Sequence, residues 1–87
     1  MAGINSEDLF NRIRAGNFKF VLLRGVQDGR FYLVVEAEDG PFVLLDKKGR
    51  HMVFPKVDNA LVWLRRMTDL EEFVVNISLL PKDAKRR

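Results

Sequence analysis

Turn signals recur at short intervals between residues 30 and 67, and this punctuation narrows the available folds more than any other feature of the chain. Residues 30–37 are rich in the aromatic and β-branched side chains that suit a pleated surface, and Asp39, Gly40 and Pro41 break the run. Residues 42–45 make a further strand. Asp46, Lys47, Lys48 and Gly49 follow as a polar turn, with glycine free to take the positive φ that closes such turns. Residues 50–54 form the next strand, stopped by Pro55. From Asp58 the period changes, and Ala60, Leu61, Leu64 and Met67 share one face of a helix.

The flanks extend this plan. Asn5 is the better N-cap of a first helix, with Asp8 at its third position and Ile4 and Leu9 placed to meet as a hydrophobic staple. Leu9, Phe10 and Ile13 make a narrow apolar stripe, Arg12 and Arg14 lie away from it, and Gly16 suits the position just past the end. Residues 18–24 read as a strand with Phe18, Phe20 and Leu22 on one face and Lys19, Val21 and Leu23 on the other. Gly25 marks a bulge or early exit, and the Asp28-Gly29 pair a hairpin loop. Asp58 is expected to cap the second helix, with Val57 stapled onto Val62. Residues 73–80 alternate, Phe73, Val75, Ile77 and Leu79 pointing one way, and Pro81 ends them.

Loops this short leave no room for crossovers among the first four strands, so these are expected to run as an antiparallel meander. The fold class is therefore α+β, in the order α-β-β-β-β-α-β. It is an antiparallel β-meander sheet of four to five strands with two helices on one face. Residues 1–81 form a single domain, and 82–87 a basic tail expected to be disordered.

With 87 residues there is room for one domain, and 47% hydrophobic residues, seven Phe and one Trp among them, are ample for its core. The absence of cysteine excludes disulfides, thiolate nucleophiles and zinc fingers. The chain opens with no basic region followed by an apolar run, and no apolar stretch approaches the roughly 18 residues that span a bilayer, so a cytoplasmic protein with no membrane partner is expected. All of the +3 net charge lies in residues 82–87, because residues 1–81 carry eleven basic and eleven acidic side chains. Any affinity for nucleic acid must then come from local clustering.

If the alternation of the last strand sets the core face, the other face of the sheet holds Val21, Leu23, Tyr32, Val34, Val43 or Leu44, and Leu80. Either the first helix covers it as a second layer, or a second copy of the chain does. Self-association is the expectation, with Val21, Leu23, Tyr32, Val34 and Trp63 as candidate interface residues and a protein partner as the wider expectation. Trp63 borders the apolar stripe of the second helix and also reads as half-buried packing.

For chemistry the residues offer little. His51 is the only histidine and has no orienting partner in sequence, which general base catalysis requires. Ser6, Thr68 and Ser78 read as cap, loop and strand residues. Glu36, Glu38 and Asp39 could hold a hard cation through oxygen ligands, but they also suit a solvated hairpin tip. The glycines stand singly, outside any phosphate-binding loop. No catalytic residue, metal ligand or cofactor is expected. The strongest positive cluster is Lys47, Lys48, Arg50, His51 and Lys56, a hairpin that could track phosphates together with Lys85, Arg86 and Arg87 of the tail. Its competitor is a polar turn whose lysines keep an edge strand from pairing.

Residues 29–34, residues 44–50, Phe54 and residues 60–64 together resemble small bacterial ParC-type plasmid partition-associated proteins and related uncharacterised families. The pattern is strand, turn, strand and helix, within residues 18–67. The resemblance implies an accessory role on a mobile element, with no catalytic residues to carry over. The expected function is a nonenzymatic interaction module, homodimeric, in plasmid or mobile-element maintenance. The alternative is a nucleic-acid-binding protein using the basic 47–56 hairpin and the tail.

Overall fold

Asn5 and Gly16 bracket the first helix by local chemistry. The Asn5 Oδ1 accepts the Asp8 amide at 2.8 Å, and Gly16 takes the left-handed conformation, φ 72°, that closes the last turn. In the computed structural model, which describes residues 1–80, this helix is α1 (Ser6–Ala15), preceded by a strand β1 (Ala2–Ile4). Then come β2 (Phe20–Gly25), β3 (Phe31–Glu36), β4 (Phe42–Leu44), β5 (Val53–Phe54), α2 (Val57–Met67) and β6 (Val74–Asn76).

The described residues thus form an α+β fold of two helices and one six-stranded sheet, in the order β1-β4-β3-β2-β6, with β5 also on β3. The expected all-antiparallel meander is corrected. It holds for β2, β3 and β4, whereas β1 pairs with β4 and β6 with β2 in parallel. The reason lies in the connections. Each outer strand is joined to the rest through a helix, and a helix provides the long crossover that parallel pairing needs. β1 was absent from the expected order because Ala2, Gly3 and Ile4 carry no alternation to read.

A second correction concerns the pair of strands around the 46–49 turn. Val43 pairs with Val34 and Phe42 with Val35, and then Val53 pairs with Tyr32 and Phe54 with Phe31. β4 and β5 therefore lie one after the other along the same flank of β3, where a further hairpin neighbour was expected. The chain leaves that line at Leu45 and returns at Met52, whose amide donates to the Leu44 carbonyl at 2.9 Å. A Leu45–His51 bridge closes the excursion.

Strand parity decides what each side of the sheet does. Val21, Leu23, Phe31, Leu33, Val35, Leu44 and Phe54 face the two helices, packing against Leu9 of α1 and Ala60 and Leu64 of α2. Leu22, Val34 and Val43 stand in register on the other side, with Tyr32 and Leu45 packed against them. Val21 and Leu23, expected on the uncovered face, are thus in the main core and fully buried, and of the pair Val43 or Leu44 it is Val43 that lies on the uncovered face. Alternation in the last strand does not mark the core side, because Val75 and Ile77, expected to point into the core, are exposed. Gly25 is not a bulge: it pairs regularly with Phe31, and a Cβ there would come within 2.7 Å of Leu80, which packs over it.

α2 also starts earlier than expected. Lys56 occupies the N-cap with no side-chain hydrogen bond, and Asp58 lies within the first turn, where its charge still suits the helix dipole. The buried face is set by Ala60 and Leu64, one turn apart, with Val57 and Trp63 packed beside them. Leu61 follows Ala60 by about 100° around the helix, which carries it and Val62 into solvent, so the staple onto Val62 does not form. Trp63 meets Phe54 edge to face, with ring centroids 5.9 Å apart.

Candidate functional site

The excursion between β4 and β5 is a built loop. Asp46 Oδ1 accepts the amides of Lys48 at 2.8 Å and Arg50 at 3.0 Å, and Gly49 turns the chain at φ 79°. Those amides, that of Arg50 most, hold the Asp46 carboxyl below its ordinary value against the opposing effect of desolvation. The other carboxylate oxygen, Oδ2, lies 3.6 Å from Arg50 Nε, and the loop presents Lys47, Lys48, Arg50 and His51 to solvent. Lys56, also exposed, stands apart from the loop at the start of α2.

The loop is anchored on the sheet through an aromatic contact. The His51 ring meets Tyr32 at 5.1 Å between centroids, nearly perpendicular at 84°. Tyr32 in turn lies opposite Arg24 of β2 and Val53 of β5. The helix-free face therefore carries, side by side, a partly exposed cation, an aromatic pair and a basic loop. Sequence reasoning had the loop residues and Tyr32 as separate candidates. It missed Arg24, although Arg24 lies two residues from Leu22 on the same face.

The acidic run resolves differently. Arg12 reaches from α1 and forks onto Asp39, its Nη1 donating to Oδ1 at 2.9 Å and its Nη2 to Oδ2 at 2.7 Å. The same guanidinium lies 4.5 Å from the centre of the Phe42 ring. The fork holds Asp39 below its usual value and raises Arg12. Asp39 thus ties the first helix to the β3–β4 hairpin. Among the described residues no group of three or more His, Asp or Glu side chains converges as a metal site would need. The Thr68 hydroxyl donates to the Leu64 carbonyl at 2.8 Å and accepts the Leu70 amide at 3.1 Å, so it finishes α2. Ser78 bonds to Asn76 in the turn after β6.

Of the candidate interface residues, Val21 and Leu23 are enclosed under the helices, Trp63 packs partly buried on the core, and Tyr32 and Val34 lie on the helix-free face. Leu22, Val34 and Val43 on that face are only 8%, 2% and 2% exposed in the single chain, because Tyr32 and Leu45 flank them. Apolar surface is left in water instead beside and beyond β6, where Val74, Val75, Ile77 and Leu79 are 40% to 63% exposed and Phe20 of β2 lies on the same margin, and on the outer side of α2 at Leu61 and Val62. A shallow groove of about 560 Å³ runs between the ends of the helices, lined by Phe10, Ile13, Phe18 and Met67 and by Arg14 and Arg65.

Lys85, Arg86 and Arg87, with the rest of the proposed tail, lie outside the described residues. No helix of the described residues is long and apolar enough to cross a membrane. No family model, curated protein or solved structure matches the chain. The likeness to partition-associated proteins stays an expectation.

Proposed function

We propose that the protein is a nonenzymatic interaction module that works as a homodimer. The observation behind this reading is the run of aliphatic side chains at β6, which a small monomer would gain by hiding and which a second copy hides by the commonest symmetry. The uncovered sheet face gives the reading less support than its sequence suggested, since its central residues are already shielded. The resemblance supplies the setting, an accessory role in plasmid or mobile-element maintenance. Light scattering across micromolar concentrations tests the dimer. Twice the chain mass of 10.1 kDa is expected, and a constant single mass refutes it.

A second reading has an observation of its own. Tyr32 and His51 meet edge to face beside Arg24, with Lys47, Lys48 and Arg50 exposed next to them, a basic and aromatic surface that suits single-stranded nucleic acid. Fluorescence anisotropy on an unstructured oligonucleotide should show binding at about 50 mM salt that weakens at least tenfold by about 200 mM, and weakens further with Tyr32→Ala. No binding at the lower salt removes this reading.

A further inference from the structure

β6 ends the sheet, and no further strand pairs with it among the described residues. Natural edge strands are blunted by lysine, proline, a bulge or an inward charge, yet from Phe73 to Leu80 there is no charged residue and no proline. The one protection is brevity, three residues of regular strand. Val74 follows Leu22 on the helix-free side and Val75 follows Leu23 on the helix side, so the strand shows apolar surface on both faces. A partner must therefore meet the edge itself to cover both.

Charge is distributed unevenly along this edge. Exposed Glu71 and Glu72 lead into β6, whereas Arg24, partly exposed, lies opposite Asn76 at its far end. The strand spans only about 10 Å, so side chains at both ends reach any partner laid along it. Resting on the homodimer reading, we infer that two copies join β6 to β6 in antiparallel fashion, forming one continuous sheet across a two-fold axis. The axis sets the acidic lead-in of each copy against the Arg24 end of the other. A parallel arrangement would set like charges together.

Both the geometry and the charge pattern can be tested with the full chain. Glu71→Lys with Glu72→Lys makes both ends of the edge basic, and Arg24→Glu makes both ends acidic. Each variant alone should run at the monomer mass where the wild type runs at twice that mass, and an equimolar mixture should recover the doubled mass, because each end then meets its opposite. Variants that dimerise as the wild type does overturn the edge pairing while leaving the homodimer. A wild type that stays monomeric overturns both. Hydrogen exchange on the wild type gives a second reading should a variant fold poorly. Those amides of residues 74–76 that point away from β2 should gain at least tenfold protection between micromolar and near-millimolar protein, and unchanged exchange in a dimeric sample overturns the inference.

Discussion

Leu22 and Leu33 carry the same side chain on opposite faces of the sheet, paired strands apart by one residue of register, and truncating each measures what covers it. Either change to alanine removes apolar surface worth about 2.4 kcal/mol, taking roughly 0.8 kcal/mol for each of about three methylene equivalents. At Leu33, fully buried beneath both helices, the strands and helices cannot close the void, so a cavity term brings the cost to about 4 kcal/mol. Leu22 has no helix above it, and water and its neighbours can fill the gap, so its cost stays near 2 kcal/mol. An 87-residue domain has roughly 4 to 13 kcal/mol of stability, so both variants are measurable if the wild type is near the middle of that range. Guanidinium unfolding, with a slope of about 2 kcal/mol per molar for this size, should shift its midpoint by about 2 M for Leu33→Ala and about 1 M for Leu22→Ala. Equal shifts at every protein concentration would refute the uncovered face. A Leu22→Ala cost that grows with concentration would mean that a second copy sits on that face, against pairing at the edge.

Gly49→Ala places a side chain at φ 79° in the basic loop and should lower stability by about 1 kcal/mol in thermal melts, whereas an unchanged melt would show that the turn relaxes. Asp28, Asp39 and Asp46 are each held below the ordinary value of 3.8, by the side chain of Arg30, by that of Arg12 and by the amide of Arg50. Their contribution is therefore complete above that value and lost as pH falls below it, where the unfolded chain takes up protons that the folded chain resists. Denaturant midpoints should drop below about pH 4, and Asp39→Asn should make the drop shallower.

What could be read from the residues alone was what neighbouring residues settle. Asn5, Asp8 and Gly16 frame α1, Gly29 turns the first hairpin at φ 86°, and Asp46 with Gly49 makes the loop, all within a few positions of sequence. The misreadings came where a distant partner decides. The last strand shows clean alternation, yet it lies at an edge where both faces are wet, so its pattern could not identify the core side. β3 is the better guide, because a central strand is covered by the rest of the fold. Phe31, Leu33 and Val35 face the helices, while Tyr32 and Val34 face away. Arg12 and Asp39 meet across 27 positions, and nothing local in either segment announces that pairing.

The same parity bears on how two copies would meet. Association gains free energy only from apolar surface still in water beforehand. The centre of the helix-free face has almost none left to bury, whereas the side chains around β6 keep about half of theirs exposed. Joining at the edge also leaves the Tyr32 and His51 part of that surface uncovered. A two-fold axis perpendicular to the joined sheet keeps the helix-free faces of both copies on one side of it. Dimerisation and nucleic-acid binding would then overlap only at Arg24, which lies opposite Asn76 on one side and Tyr32 on the other. Arg24 belongs to both, so oligonucleotide binding should compete with dimerisation to the extent that each draws on its charge.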